Sequence, residues 1–416
     1  MTTVTGTPAD QSAVFLPEDL DALPPEEAVG ALLDYASQLE ASDVYLVTDD
    51  GAVSVAMRHM GIVRTLAKID LAVGRRWMLH IKALSGIRHE WKRRPNEGRW
   101  IRTHRDGRKT DLRICTIPTL HGEDFTLRLL ERDSQLRALD GLGLLRHQLS
   151  ELRAMLAAPG GLILVTGPTA SGKTTTLYAA LQHLNDGLRK INTIEDPIEY
   201  AVPGVRQSQV DPVLTLDFPD LLRNVLRQSP DVIMIGEIRD VITAQTAVRA
   251  AGSGHLVLAT LHAPTAATAI QSMRNLEVHP RFFADSLRGV LAQRLVRTLC
   301  EHCKEAFDLS EAPHTFDDVQ RWLEAGEGGR IYSAPGCAKC QQSGFTKRAG
   351  VFEVMSVTPQ VRARVSDLQS ARQIEHQAAT EGMINFRQAA LLKVAKGLTS
   401  IEEVMRVVPA EHLGIE

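Results

Sequence analysis

The sequence predicts an α/β fold with a parallel β-sheet, preceded by a smaller α+β domain and interrupted by a cysteine-bearing insert. Three observations carry this prediction. Short β-branched runs alternate with helical segments, as buried parallel strands do: LILVTG, INTIED, DVIMIGE and HLVLATLH. Residues 25–133 instead mix helical periodicity with alternating strands, and two CxxC pairs follow residue 299.

The composition excludes several classes of protein. The chain has 416 residues, of which 44% are hydrophobic and 23% charged, and its 47 basic and 50 acidic side chains give a net charge of −3. It is therefore neither disordered nor surrounded by a bulk positive field for nucleic acid or anionic lipid. No apolar run reaches the roughly 18 to 20 residues of a membrane span, and the first residues lack the pattern of a signal peptide. A cytoplasmic protein is predicted.

The first domain is assigned to residues 25–133, after a disordered tail at 1–24. Apolar residues recur at helical spacing in PPEEAVGALLDYASQLEAS, which predicts an opening helix. VYLVT and AVSVAMR flank the turn residues DDG and read as a β-hairpin. A helical stretch near 70–85 and the runs LRICTIPT and DFTLRLL complete the α+β unit.

The second domain is assigned to residues 149–416. A flexible linker is expected at 134–148, where Gly141 and Gly143 interrupt a mixed sequence. The cysteine-bearing subdomain is expected at about 296–350, and helices from 353 to 416.

The segment GPTASGKT fits the phosphate-binding pattern GxxxxGK[ST] between a strand and a helix, the context that a P-loop needs. Its glycines let backbone N–H groups surround a phosphate, and the helix start adds partial positive charge. Lys173 would bridge the β- and γ-phosphates of ATP, and Thr174 would bind Mg²⁺. The predicted nucleotide-binding residues are Gly167, Pro168, Thr169, Ala170, Ser171, Gly172, Lys173, Thr174 and Thr175.

Acidic and histidine residues follow the other predicted strands, at the edge where ligands of open α/β sheets gather. Glu195, Asp196 and Glu199 lie in INTIEDPIEY, and Glu237 ends an apolar strand as a Walker-B acid does. His255 and His262 bracket a further strand. Each residue alone is also consistent with a solvated loop, a helix cap or a structural histidine, so it is their joint occurrence behind one P-loop that indicates a site.

Taken together, these motifs resemble the secretion ATPases of bacterial type II secretion systems and type IV pili, over most of residues 40–410. The resemblance implies a RecA-like P-loop NTPase core with a smaller PAS-like N-terminal α+β domain and a zinc-binding insert. It also implies a homohexamer in which ATP turnover moves the domains. Ala170 stands where the family usually has glycine, and it is expected to fit there if its φ is negative.

Family positions also imply roles for single residues. Glu199 corresponds to the water-activating base, Glu237 to the Mg²⁺-side acid and His262 to a γ-phosphate sensor. The segments SDVYLV, GIVRTL and EWKRRPNEGR look like strands of the family's first domain, with Tyr45 where histidine is usual. In that domain Arg113 and Arg128 are the candidates for arginines that stabilise transition-state charge in a neighbouring subunit. The alternative is that both are exposed strand arginines.

Four of the five cysteines form two CxxC pairs, Cys300 with Cys303 and Cys337 with Cys340, separated by 33 residues. Four thiolates suit a closed tetrahedral Zn²⁺ site, which is structural because catalytic zinc keeps an open position. Zinc would add folding energy to the polar insert between the pairs. The fifth cysteine, Cys115, is expected to be a small core residue. The four-cysteine pattern resembles that of assembly ATPases and is generally missing from retraction motors.

The leading prediction is an ATP-hydrolysing hexameric motor for pseudopilus or pilus assembly, with ATP, Mg²⁺ and Zn²⁺ as ligands. It would act at the cytoplasmic face of an inner-membrane platform protein or of a docking protein. The family's extra N-terminal docking domain is expected to be missing, because only about 24 residues precede the first helix. Alternatives are a retraction motor, a nucleotide-gated scaffold and a nucleic-acid translocase. Acidic residues interrupt the basic stretch from Arg88 to Lys109, so nucleic acid is not expected to bind there.

Overall fold

The computed structural model describes residues 20–88, 90, 93–104, 107–131, 137–211, 213–312 and 314–413. The chain divides into two compact units at residues 135 and 136. Within the described ranges, no helix is both long and apolar enough to cross a membrane.

The first unit is an antiparallel sheet with two helices. The sheet has the order β3-β2-β1-β6-β5-β4. The strands are β1 (Asp43–Thr48), β2 (Ala52–His59), β3 (Ile62–Asp70), β4 (Asn96–Thr103), β5 (Lys109–Pro118) and β6 (Glu123–Glu131), and the helices are α1 (Pro25–Gln38) and α2 (Leu71–Ser85). The predicted hairpin is confirmed, because β1 and β2 pair antiparallel across residues 49–51. Both predicted helices are confirmed as well.

The second unit is built on a seven-stranded sheet with the order β15-β12-β7-β11-β10-β8-β9, in which only β15 runs antiparallel to its neighbour. Its strands are β7 (Gly161–Thr166), β8 (Ile191–Glu195), β9 (Arg206–Gln209), β10 (Val232–Ile235), β11 (Leu256–Leu261), β12 (Leu287–Leu299) and β15 (Phe345–Ser356). The four strands predicted from β-branched runs are β7, β8, β10 and β11. A separate two-stranded sheet pairs β13 (Glu305–Asp308) with β14 (Arg330–Ser333).

Helices cover both faces of this sheet. They are α3 (Arg146–Leu156), α4 (Lys173–Leu184), α5 (Phe218–Leu226), α6 (Val241–Gly252), α7 (Ala266–Asn275), α8 (Pro280–Ser286), α9 (Pro359–Ser366), α10 (Ala371–Thr380), α11 (Phe386–Ala395), α12 (Ile401–Val407) and α13 (Ala410–Leu413). Successive strand residues enter opposite cores: Leu162 and Leu164 lie in one cluster, and Ile163 and Val165 in the other. Continuous apolar strands are the expected result of burial on both faces.

The predicted tail and the predicted linker both differ from the structure. Leu20 is buried, so ordered structure begins inside the predicted tail, whose residues 1–19 lie outside the described ranges. Leu139 and Leu142 are buried on a short 3₁₀ turn, and α3 begins at Arg146, so 139–148 is packed structure and not a flexible linker. Residues 134–136 lie outside the described ranges.

The C-terminal prediction also needs correction. The strand β15 continues to Ser356 and the first following helix starts at Pro359, whereas helices were expected from 353. Strands β12 and β15 both belong to the main sheet, so within the subdomain expected at about 296–350 only residues 300–344 lie outside that sheet. A further correction concerns Cys115, which is exposed on β5 and is no core residue. The alternation of the strand places Ile114 and Thr116 inward instead.

Candidate active site and four-thiol cluster

The GPTASGKT segment forms the turn between β7 and α4, at the carboxyl edge of the parallel sheet. Gly172 caps α4 with φ +89°. Gly167 has φ +144°, and a Cβ there would lie 2.4 Å from the carbonyl oxygen of Gln293 on β12, so only glycine allows this approach. The same Gln293 donates from its side chain to the carbonyl oxygen of Ser171 at 2.7 Å and accepts from Thr176 at 2.8 Å. These contacts with Gln293 fix the loop to β12.

Ala170 departs from the expectation made for it. Its φ is +61°, in the left-handed region, whereas the sequence argument required a negative φ for alanine. The Cβ of an L-residue approaches the following carbonyl oxygen in this conformation, at a cost of roughly 1–2 kcal/mol. The loop geometry thus imposes on alanine a conformation that suits glycine.

Three predicted site residues meet at this edge. Lys173 Nζ donates to the carbonyl oxygens of Gly167 at 2.8 Å and Pro168 at 3.1 Å, and lies 3.4 Å from His262 Nδ1. His262 Nε2 lies 2.9 Å from Glu237 Oε1. Burial lowers the pKa of Lys173, and the nearby Glu237 carboxylate opposes that shift. The side chains of Lys173, His262 and Glu237, from the ends of three adjacent segments, form one polar cluster.

Arg239, which was not among the predicted site residues, joins this cluster. Its guanidinium lies 2.5 Å from Glu237 and 3.6 Å from Asp196. The hydrogen bond from Arg239 to Glu237 raises the pKa of the arginine, so this cation stays charged beside the acid. The signal was present in the sequence, because Arg239 follows Glu237 by two residues in GEIRD.

The acidic segment after β8 has a different environment. Glu195 is buried, with hydrogen bonds from Tyr178, Thr193 and Gln207, so it is part of the core of the unit. Glu199 is half-buried in the loop that follows, and its backbone N–H donates to the hydroxyl of Tyr178 at 3.4 Å. Thr174 is exposed and Thr175 is half-buried in the first turn of α4.

The remaining candidates lie elsewhere. His255 precedes β11, at the opposite end of the strand from His262, and its Nδ1 lies 3.0 Å from the carbonyl oxygen of Ala250. In the first unit, Arg113 on β5 pairs with Arg128 on β6. Arg128 lies 3.2 Å from Asp43, with 62% of its side chain exposed.

The four cysteines of the insert come together between β12 and β15. Their sulfur atoms all lie within 4.8 Å of one another, with Cys303 and Cys337 each 3.8 Å from Cys340 and Cys300 4.0 Å from Cys337. A tetrahedral ion with bonds of about 2.3 Å to sulfur requires sulfur separations of about 3.8 Å, so the four thiols fit one.

The surroundings of Cys340 favour its thiolate. Its sulfur accepts hydrogen bonds from the backbone N–H groups of Cys337 and Gly344, each at 3.2 Å. Burial acts to raise the pKa of this thiol, but the hydrogen bonds outweigh it and lower the pKa of Cys340 to about 6. The thiolate is the form that binds metal.

Comparison with known proteins finds relatives that match nearly the whole chain. Residues 18–406 match the family described as Type II/IV secretion system protein. The chain belongs to this family. It is 39% identical to the Type II secretion system ATPase E of Vibrio cholerae over 400 residues, which is 94% of this chain and 78% of that protein. It is 38% identical to the Type IV pilus assembly ATPase TfpB of Acinetobacter baylyi, over 91% of this chain and 64% of that one.

Solved structures show the same fold. The ATPase DotB of Legionella pneumophila matches with a TM-score of 0.70 and 19% identity, covering 94% of this chain and 97% of that one. The pilus retraction motor PilT with bound ADP matches with a TM-score of 0.58 and 24% identity, covering 91% and 96%. This family member therefore shares its mixed α/β architecture with secretion and pilus ATPases.

Proposed function

We propose that this chain is an ATP-hydrolysing motor that powers pseudopilus or pilus assembly in a type II secretion or type IV pilus system. The names of its relatives support the secretion and pilus context. The observation that carries the proposal is the meeting of Lys173, His262 and Glu237 beside the GPTASGKT turn. A cation for phosphate and an acid for a metal ion are the groups that phosphoryl transfer needs.

In this proposal the second unit is a RecA-like P-loop core and residues Gly167–Thr175 bind the ATP phosphates. Lys173 leaves the carbonyl oxygens of its own loop and turns to the β- and γ-phosphates. Mg²⁺, when bound by the Thr174 hydroxyl and through water by Glu237, supplies charge neutralisation at the phosphates. Arg239 keeps the Glu237 carboxylate oriented.

Catalysis requires further groups around the γ-phosphate. Glu199 orients and deprotonates the attacking water, and His262 senses the γ-phosphate. Arg113 and Arg128 of the first, PAS-like unit of an adjacent subunit stabilise the developing charge. The exposure of 62% of the Arg128 side chain supports such a role, since a group that acts on another subunit must be accessible, and the partly buried Arg113 is its register partner on β5.

The working assembly is a homohexamer on the cytoplasmic face of the inner membrane, peripherally attached through a platform protein or a docking protein. ATP turnover changes the angle between the two units. One Zn²⁺ ion held by Cys300, Cys303, Cys337 and Cys340 stabilises the insert. The thiol spacing supports zinc and, with it, an assembly role over retraction.

The test is ATP turnover by the purified full chain, with its mass measured with and without nucleotide. Lys173→Ala and Glu237→Gln should each lower kcat at least about 100-fold, since they remove transition-state interactions. Lys347→Ala, which removes an exposed lysine of β15, is the control and should turn over normally. Wild-type turnover in either site variant would refute the proposal, and wild-type ATP binding without turnover would indicate a nucleotide-gated scaffold.

A nucleic-acid translocase is not favoured, because the net charge is −3 and the relatives are named for secretion and pili. DNA-stimulated turnover with a steep salt dependence would revive it.

A further inference from the structure

Tyr178 stands at the centre of a buried polar network beneath the acidic segment. It lies on α4 and is fully buried, and its hydroxyl donates to Glu195. The other oxygen of Glu195 accepts from Thr193 Oγ1 at 2.5 Å and Gln207 Nε2 at 3.0 Å. Burial and the Glu195 carboxylate raise the pKa of Tyr178 far above its ordinary value, so its hydroxyl remains a donor.

The same tyrosine and glutamine also hold the chain on either side of the Glu199 side chain. The Tyr178 hydroxyl accepts from the backbone N–H of Glu199 at 3.4 Å, and the Tyr178 ring packs edge-on against Tyr200 with centroids 4.4 Å apart. Gln207 donates to the carbonyl oxygen of Tyr200 at 3.1 Å and accepts from the N–H of Val202 at 2.7 Å. Residues 199–202 are thus fixed by groups outside their own segment.

This arrangement is not explained by core packing. A phenylalanine would fill the same volume, and burying a hydroxyl, a carboxylate and an amide together costs stability relative to an apolar core. The polar groups instead set the position of a backbone segment, which apolar contacts fix less strictly. Such fully satisfied networks specify one geometry.

The position of Tyr178 along α4 connects the buried network to the P-loop. It follows Lys173 by five residues, about 7.5 Å along the helix axis. The helix that starts at the phosphate-binding lysine therefore also carries the anchor of the acidic segment. A displacement of α4 on nucleotide binding would be transmitted to Glu199 through the Tyr178 hydroxyl.

We propose that Tyr178 is a positioning residue, which with Glu195 and Gln207 holds Glu199 in register with the P-loop helix. The inference rests on the proposed function, in which Glu199 acts on water. Small displacements of an acting group are costly, since a shift of about 1 Å can lower a rate about 100-fold.

The test compares kcat and KM of the full chain with those of Tyr178→Phe. The variant should lose about 10- to 100-fold in kcat, with KM for ATP and the affinity for a fluorescent ADP analogue within about twofold. Tyr35→Phe, on the partly buried face of α1, is the control and should keep wild-type kcat. Amide hydrogen exchange should rise at residues 198–202 in Tyr178→Phe and remain unchanged along β7 and β11.

A second variant separates positioning from folding. In Tyr178→Phe the buried carboxylate of Glu195 loses one of its hydrogen-bond donors. The double variant Tyr178→Phe/Glu195→Gln also removes the charge of that carboxylate. The double variant should regain thermal stability without regaining kcat. Recovery of stability and kcat together would make Tyr178 merely structural and overturn the proposal, as would unchanged kcat in Tyr178→Phe.

The outcome for Glu199 is read separately. If Glu199→Gln abolishes turnover while Tyr178→Phe has wild-type kcat and exchange, the positioning role fails and the ATPase function stands. If the wild-type chain binds ATP but does not turn it over, the motor function fails and the role for Tyr178 in the reaction fails with it.

Discussion

His262 places its Nε2 atom 2.9 Å from Oε1 of Glu237. Its other ring nitrogen, Nδ1, lies 3.4 Å from Nζ of Lys173. An ammonium group only donates hydrogen bonds, so Nδ1 accepts and the ring proton is on Nε2, directed at the carboxylate. The ring of His262 thereby connects Lys173 to Glu237.

The two histidines that flank β11 should behave differently when removed. His262→Ala should lower kcat about 10- to 100-fold and leave ATP binding within a few-fold, because the link between lysine and carboxylate is lost. His255→Ala, at the other end of the strand, is the matched control and should keep normal kcat. Steady-state ATPase kinetics and nucleotide titration measure both. Equal effects of the two variants would contradict a special role for His262.

The insert should bind one zinc ion per chain. Cys337→Ser should abolish binding, because three thiolates and a hydroxyl hold zinc far less tightly, whereas Cys115→Ser should keep it. Elemental analysis of dialysed protein measures the metal. A strong chelator should make residues 300–344 protease-sensitive while ATP binding persists. Unchanged proteolysis after verified metal removal would refute a structural zinc site.

Ala170 offers a stabilising substitution. Ala170→Gly should leave stability unchanged or raise it by up to about 1 kcal/mol, because relief of the left-handed strain exceeds the entropy that glycine adds to the unfolded chain. Ala363→Gly, on the exposed face of α9, should instead lower stability by about 1 kcal/mol. Thermal unfolding compares them. A larger loss at position 170 than at 363 would be inconsistent with the positive φ.

Glu353 should make stability depend on pH. This buried carboxylate on β15 accepts from the N–H groups that begin α7 and α11, those of Ala266 and Phe386, each at 3.0 Å. Burial raises its pKa to about 7, with the two N–H groups and Arg294 opposing and Glu375 adding to the rise. A raised pKa means that the folded state binds the proton more tightly than the unfolded state does. The contribution of protonated Glu353 to the free energy of unfolding is therefore fully present below the pKa of the unfolded state, and it is lost as the pH rises through about 7.

The measurement is the difference in stability between wild type and Glu353→Gln at pH 5, 6, 7 and 8. From pH 5 to pH 8 the free energy of unfolding of the wild type should fall by about 3 kcal/mol relative to that of Glu353→Gln, an order-of-magnitude value from the pKa change. Glu305→Gln, an exposed substitution on β13, should show a flat difference. If the stability difference between wild type and Glu353→Gln does not change with pH, or changes in favour of the wild type as the pH rises, Glu353 does not have a raised pKa.

Within the second unit, sequence reasoning found β7, β8, β10 and β11 but did not find β12. β7, β10 and β11 are continuous apolar runs, whereas β12 contains Gln293 and Arg294, both buried. Gln293 is accommodated because its amide bonds Ser171 and Thr176, which are more than 100 residues earlier in the chain. Tertiary partners of this kind cannot be read from local periodicity.

Motif spacing likewise brought Lys173, Glu237 and His262 together, but not the backbone angle of Ala170 or the packing of 139–148. The φ of Ala170 is set by the whole loop, including its contact with β12. The segment at 139–148 looked flexible because of its glycines. Its conformation depends on Lys393 of α11, whose ammonium group donates to the carbonyl oxygen of Gly143 at 2.6 Å.

Leu299 and Phe345 face each other as paired residues of β12 and β15. The chain thus leaves the sheet and returns to it at almost the same point, so residues 300–344 form an insertion between two paired strands. Loss or gain of residues 300–344 would leave the main hydrogen-bond ladder intact. The thiol-bearing lobe is nevertheless no independent appendage, because its Phe316 and Val319 are buried in the same hydrophobic cluster as the strands of the main sheet, so its removal would open that core.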